Sequence, residues 1–294
     1  MSAPILSIAN LSAVSERDGG AAILRDVSLT LGHGEVMGLV GESGAGKSTI
    51  AKAVLGILPR TVRVTSGAAL FDGQDLLRLP TRGLRSIMGS EITLIPQDPM
   101  TALNPGRRIE DQLTDGLRLR RGLSATAARE RAMLLLEEVH IRDPERVMRA
   151  YPHELSGGMR QRVLIASAFA MKPKLVIADE PTTALDVTVQ KQILRLIRLM
   201  QVKHGTSVLF VTHDLGVVAQ ICDRVVLLYG GMVIEAGATP AIFSQPSHDY
   251  TRALLAAGPR YDRPERALEP VPGEVFAQLR AELAAFDRKG RRHD

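Results

Sequence analysis

The chain has no tryptophan, and its six phenylalanines and four tyrosines make up only 3% of its 294 residues. Proteins that hold single strands stack bases on aromatic rings over a basic groove, so no nucleic-acid partner is expected. The net charge of +5 does not reverse this, because the positive residues are scattered, with small clusters only at 118–121 and 289–293. A single cysteine, Cys222, excludes an internal disulfide framework and an all-cysteine metal cluster. Its neighbours Val217, Val218 and Ile221 predict a buried structural thiol in a reducing compartment. No apolar run approaches the roughly 18 residues that a membrane-crossing helix needs. If the chain serves a membrane process, another chain must form the path. The N-terminus, MSAPILSIANL, has no basic stretch leading into an apolar one, so no secretory signal is expected.

What is present is an ordinary globular composition, 45% hydrophobic and 23% charged, in a chain long enough for one or two domains. Short apolar runs alternate with helical stretches, the pattern of α/β layering. Buried strands are predicted at residues 36–40, 91–95, 175–178, 207–211 and 224–229. Helices are predicted at 47–58, stopping before Pro59, at 187–203, ended by Gly205, and at 215–222. Gly230 and Gly231 predict a hairpin turn into a strand at 232–235. From about 99 to 151 no strand-like run occurs, which suggests a helical insertion between two halves of a sheet domain. From about residue 239 the chain reads as a helical appendix, and the end of its proline- and charge-rich last stretch is expected to be disordered.

Gly41, Glu42, Ser43, Gly44, Ala45, Gly46, Lys47, Ser48 and Thr49 contain the pattern G-x-x-x-x-G-K-[ST] between a predicted strand and a predicted helix, the context that pattern requires. Glycines let the backbone wrap a phosphate and turn its N–H groups inward. The helix N-terminus adds its positive end. Lys47 is expected to reach the β- and γ-phosphates and Ser48 to offer its hydroxyl to Mg²⁺. Further on, the apolar segment LVIA at 175–178 ends in Asp179 and Glu180. Acids at the carboxyl end of such a strand lie at the ligand crevice of an open sheet. Asp179 is expected to hold Mg²⁺. Glu180, one residue on, points elsewhere and is the candidate to orient or deprotonate an attacking water. At 155–159, LSGGM opens an apolar helix, with Ser156 as its N-cap and Gly157 and Gly158 leaving backbone N–H groups exposed to an anion.

The order of phosphate loop, Gln97, LSGGM, LVIADE and His213 resembles the nucleotide-binding subunit of ABC transporters over about residues 5–258. The resemblance implies a P-loop NTPase core with a mixed sheet, a helical subdomain at about 99–170 and a C-terminal extension at 239–294. It implies ATP and Mg²⁺ as ligands and a head-to-tail pair in which Ser156, Gly157 and Gly158 contact ATP on the opposite subunit. Gln97 would then touch Mg²⁺ and the water, His213 the γ-phosphate, and Asp186 the loop joining the two sites. The expected setting is the cytoplasmic face of the cell membrane, with two transmembrane permease subunits and an extracytoplasmic solute-binding protein. One departure stands out: such subunits place an aromatic ring near the N-terminal strand to stack on adenine, and none occurs between Met1 and Val40. Adenine would pack on Val14 or Ile23 instead.

Finer resemblance is to the dipeptide, oligopeptide and nickel importer branch, carried by VGESGAGKS at 40–48, IPQDPMTALNP at 95–105, YPHEL at 151–155, ADEPTTALD at 178–186 and PSHDYT at 246–251. It implies ATP-driven import of peptides, with nickel or another small solute as the alternative cargo, and a second, different ATPase subunit as partner. His248 is expected to be structural, and the absence of cysteine beyond Cys222 predicts no iron–sulfur cluster. Two other readings are a non-transport ABC ATPase, which lacks support because no long coiled-coil insertion or second ATPase domain is present, and a scaffolding subunit that holds nucleotide without hydrolysing it.

Overall fold

The computed structural model describes residues 3–183, 185–257 and 271–290. In chain order the strands are β1 (Leu6–Ser15), β2 (Ala21–Leu31), β3 (Val36–Gly41), β4 (Val62–Phe71), β5 (Gln74–Asp75), β6 (Ile92–Ile95), β7 (Leu175–Asp179), β8 (Ser207–Thr212), β9 (Arg224–Tyr229) and β10 (Met232–Ala238). The helices are α1 (Lys47–Leu55), α2 (Thr81–Ile87), α3 (Pro99–Ala102), α4 (Ile109–Arg121), α5 (Ala125–Glu138), α6 (Pro144–Arg149), α7 (Gly157–Ala170), α8 (Val187–His204), α9 (Leu215–Ile221), α10 (Thr239–Ser244), α11 (Asp249–Ala257) and α12 (Gly273–Gly290). These form two compact units that alternate along the sequence: one of Met1–Ile5, Leu31–Glu35 and Arg78–Phe210, the other of Leu6–Thr30, Val36–Leu77 and Val211–Asp294.

The first unit holds the strand order β8-β7-β6, with the last two residues of β8 beyond its boundary. β6 and β7 run parallel, with Ile92 opposite Leu175 and Ile95 opposite Ala178. Parallel strands are buried on both faces, and Leu175, Val176, Ile177 and Ala178 are wholly buried. Between β6 and β7 every regular element is helical, as the spacing predicts. Local capping explains the breaks. Gly122 closes α4 in the left-handed conformation, and the side chains of Ser124, Asp143 and Ser156 accept backbone N–H groups at the starts of α5, α6 and α7. Leu135, Leu136, Val163, Ile165 and Phe169 are buried completely and hold these helices together, each contributing about 1.5–3 kcal/mol.

Beside this apolar core lies an ionic knot. Glu138, whose side chain is 10% exposed, takes Arg131 at 3.2 Å, Lys203 at 3.3 Å and His204 at 2.9 Å. Burial pushes its carboxyl up, but hydrogen bonds from His204 and Lys203 and the charges of Arg131 and His204 outweigh that and hold it below the usual carboxylate value. A depressed folded-state pKa gives stability that is present above the unfolded value, about 4.3 for glutamate, and is lost as pH falls through the folded value. Glu138→Gln is therefore expected to cost about 1–3 kcal/mol near neutral pH by leaving the part-buried Arg131 guanidinium without its carboxylate. Thermal melts from pH 7 down to 3 should show the deficit shrinking below about pH 4; a constant deficit would mean that the charge is not the cause.

The second unit contains an antiparallel sheet in the order β2-β1-β4-β5 and the order β10-β9-β3. β1 and β2 have no counterpart among the sequence expectations, and the reason is a pair of facing irregularities. Along β1 the inward residues are Leu6 and Ile8, then Leu11, Ala13 and Ser15, because Asn10 adopts a positive φ of 51°. β2 shifts in the same way at Asp26, φ 54°. Side chains make good the interrupted ladder: Asn10 Nδ2 donates to Asp26 Oδ1 at 2.8 Å, and Ser12 Oγ accepts the Asp26 N–H at 3.0 Å. Each bulge breaks the period-2 alternation by which a strand is recognised.

β3 and β9 are parallel, pairing Met37 with Arg224 and Gly41 with Leu228. A Cβ on Gly38 would come within 3.1 Å of Cys222 Sγ, and Cys222 is buried, as its neighbours predict. α1 ends earlier than expected: Gly56 takes the left-handed conformation (φ 66°) and closes the helix at Leu55, ahead of Pro59. β9 turns into β10 through Gly230 and Gly231, φ 53° and 79°, the geometry of a tight hairpin. β10 is longer than expected, reaching Ala238. In the appendix, Glu235 accepts from the N–H and Oγ of Ser247, each at 2.7 Å, and from the N–H of His248 at 3.2 Å. His248 Nδ1 in turn accepts the Tyr250 N–H at 3.0 Å, the structural part expected of it. α12 lies in the stretch expected as a helical appendix; residues 258–270 and 291–294, with the chain end expected to be disordered, lie outside the described residues.

Candidate functional site: a phosphate loop and an acid-tipped strand

The phosphate loop belongs to the second unit. β3 is buried along its whole length and delivers the chain at Gly41, whose α-carbon leaves no room for a side chain: a Cβ there would lie 2.3 Å from Leu228 O. Glu42, Ser43 and Gly44 are exposed, and Gly44 has φ 83° with open space about it. Gly46, φ 96°, is the N-cap of α1, and no side chain caps the first turn. The N–H groups of that turn are thus left to whatever sits before them. Lys47 is 5% exposed, and its ammonium donates to Gly41 O at 2.6 Å and Glu42 O at 2.9 Å, so the cation lies over the loop. Ser48 and Thr49 follow on the first turn, half-buried. Val14 and Ile23 are also half-buried in this unit. His213 is exposed between β8 and α9, followed by Asp214, which caps α9 through Gly216 N at 2.7 Å.

The first unit carries the acids and the serine–glycine turn. β7 ends at Asp179, and Glu180 follows at φ 46°, a left-handed conformation that costs a non-glycine residue about 1–2 kcal/mol. Such strain turns the carboxylate out of the strand's alternation and is characteristic of functional sites. Glu180 Oε2 accepts from Gln97 Nε2 at 3.0 Å and from Thr183 Oγ1 at 2.9 Å. Gln97 and Glu180, which stand 83 positions apart in sequence, are therefore brought together. Ser156 caps α7 through Met159 N at 3.3 Å, and a Cβ on Gly157 or Gly158 would meet nothing within 4 Å. Asp186 caps α8, accepting the Val189 N–H at 2.9 Å.

Two residues of this region escaped the sequence reading. Gln161, 1% exposed on α7, donates to Pro181 O at 2.8 Å and ties the serine–glycine helix to the loop that carries Glu180. Its only signal was a polar residue amid an apolar helix face. Thr183 was visible as the third residue after Glu180, the spacing of a side chain folding back on a turn.

A buried strand, a glycine loop that excludes side chains and a buried lysine on the first helical turn define a P-loop nucleoside-triphosphatase. Comparison with known proteins narrows this. The family model for ABC transporter matches residues 24–183, that for the oligopeptide/dipeptide transporter C-terminal region matches 234–283, and one for an AAA domain matches 149–219. The chain is 50% identical over 271 residues to the peptidoglycan transport ATP-binding protein YejF of Agrobacterium fabrum, covering 91% of this chain and 50% of that relative's length. It is 46% identical over 271 residues to the dipeptide transport ATP-binding protein DppD of Bacillus subtilis, covering 92% and 81%. To the oligopeptide transport ATP-binding protein OppD of Salmonella typhimurium it is 46% identical over 263 residues, covering 90% and 78%. Among solved structures, CbiO1 of Clostridium perfringens, part of an ABC transporter complex, superimposes with TM-score 0.71 at 29% identity, covering 83% of this chain and 92% of that one. A dimeric ATP-binding cassette in a post-hydrolysis state, bound to ADP and Pi, gives TM-score 0.70 at 28% identity, covering 80% and 98%. The chain belongs to the ABC transporter family, as an ATP-binding protein of the kind that couples ATPase activity to transport.

Proposed function

We propose that this chain is the ATP-hydrolysing subunit that drives import of dipeptides or oligopeptides. The observation that carries hydrolysis, rather than mere nucleotide holding, is the Glu180 carboxylate at φ 46° with Gln97 donating to it at 3.0 Å. The C-terminal match at 234–283 and the peptide-transport names of the relatives support the cargo class.

The loop N–H groups and Lys47 bind the triphosphate, exchanging the carbonyl contacts of the ammonium for phosphate oxygens. Ser48, Asp179 and Gln97 offer a hydroxyl, a carboxylate and an amide, an oxygen-bearing donor set that fits Mg²⁺. The metal, when bound, neutralises charge on the β- and γ-phosphate oxygens. Glu180 takes a proton from the attacking water, and Gln97 and Thr183 hold its carboxylate in place. His213 donates to the γ-phosphate. Val14 and Ile23 give adenine an apolar seat in place of a ring. Ser156, Gly157 and Gly158 serve the nucleotide of a second, similar ATPase subunit, so each chain supplies two half-sites. The remaining partners are two permease subunits and an extracytoplasmic solute-binding protein, with this chain at the cytoplasmic face of the membrane. No helix of the described residues is long and apolar enough to cross a membrane.

The test is ATP-driven uptake by the complex purified from native membranes into vesicles, with its partner chains identified. Uptake of labelled peptides, abolished without ATP, is the expected result. Uptake of nickel and not peptides would move the cargo to the other class of the branch, and ATP turnover with no permease in the complex would overturn the transport reading.

A further inference from the structure

We propose that α12 of the C-terminal extension sets the affinity of the phosphate loop for nucleotide, with Arg25 and Asp287 as positioning residues. All the contacts lie within the second unit. The guanidinium of Arg25, on β2, donates from Nε to Asp287 Oδ1 at 2.7 Å and from Nη2 to Asp287 Oδ2 at 3.0 Å, a two-toothed pairing of charge. Its Nη1 donates to Ala22 O at 3.1 Å and to Gly230 O at 2.5 Å. The Arg25 side chain is only 14% exposed, so the Asp287 carboxylate keeps this cation among backbone carbonyls and out of water. α12 adds an apolar clamp on the same hairpin turn. A Cβ on Gly230 would lie 2.6 Å from Leu283 Cδ1, Leu279 is 1% exposed, and the Phe276 ring lies 6.2 Å from that of Tyr229.

On its other side the hairpin turn bears on the phosphate loop. Gly231 N donates to Ala45 O at 3.1 Å, and Arg25 N donates to Gly231 O at 2.8 Å. The approach leaves no slack: a Cβ on Gly231 would be 2.1 Å from Ile23 O, and one on Gly46 would be 2.6 Å from Leu24 Cδ2. A shift of the turn must therefore move the Ala45–Gly46 peptide, which forms the wall of the loop just ahead of Lys47. Close packing passes such a displacement on. α12 and the guanidinium it holds are what keep the turn in register. The role is distinct from chemistry: these side chains belong to the unit of the phosphate loop, whereas Glu180 and Gln97 belong to the other.

The inference rests on the reading of residues 41–49 as the nucleotide loop, and the experiment separates the two. In the full-length chain within the assembled transporter, Asp287→Asn is expected to raise KM for ATP about 3- to 10-fold, the size of coupling typical of such networks, with kcat within about twofold. Leu283→Ala should do the same through the apolar clamp, and Asp287→Glu, which keeps the charge, should restore KM. Binding of a fluorescent ATP analogue to Lys47→Ala serves as the control. Unchanged KM in both Asp287→Asn and Leu283→Ala, with binding lost in Lys47→Ala, would overturn the inference alone; a fall in kcat with unchanged KM would do so too. Native-strength binding by Lys47→Ala would instead overturn the reading of the loop. Should Asp287→Asn fail to fold, Leu283→Ala decides the matter by itself: a raised KM supports the inference and an unchanged KM overturns it.

Discussion

Glu180→Gln in the assembled complex is expected to lower steady-state phosphate release by about 10²- to 10⁴-fold, the usual worth of a positioned general base. Binding of nucleotide should persist. Glutamine keeps the shape of glutamate and an oxygen that can accept the Gln97 amide now seen at 3.0 Å, so the site should remain assembled while losing the group that takes the proton. The left-handed backbone at residue 180 is already strained, at φ 46°, and an isosteric change adds nothing to that strain. Phosphate release and equilibrium binding of ATP, measured on the same preparation, check both halves. Turnover close to that of the native complex would remove Glu180 from the chemistry. Loss of binding would show instead that the carboxylate holds the nucleotide site together.

Gly158→Asp should abolish turnover by about 10²-fold or more, an effect comparable to losing anion-stabilising donors, yet leave the isolated chain as stable as before or slightly more so. Gly158 lies in the first turn of α7, and a Cβ there meets nothing within 4 Å. An acid in a first helical turn favours the helix by about 0.3–1 kcal/mol. Local structure therefore predicts a harmless or helpful change, whereas an anion-binding role predicts repulsion of phosphate on the partner's nucleotide. Thermal stability and ATPase activity are expected to move in opposite directions. Full activity in the variant would mean that residues 156–158 are a helix start and nothing more.

Much of this was readable along the chain because the signals are local. The glycine spacing of 41–49 reports a backbone shape that only certain residues permit, the apolar run ending in Asp179 a buried strand, and Ser156 a helix start. β1 and β2 were not readable, since bulges at Asn10 and Asp26 reset the alternation midway through each strand. The helical appendix was readable only as a stretch without bounds; where α12 packs rests on Tyr229, Arg25 and the Gly230 turn, all distant in sequence.

By itself, then, the sequence determined the phosphate-loop pattern and the strand and helix that flank it. Phosphate recognition is built from consecutive residues, and its pattern survives in one dimension. The tertiary structure alone decided that Gln97 reaches Glu180, that Gln161 ties α7 to Pro181 and that Arg25 joins β2 to α12. These contacts span 83, 20 and 262 positions. Nothing in the local spacing specifies such pairings, because they depend on which strands and helices the buried core brings side by side.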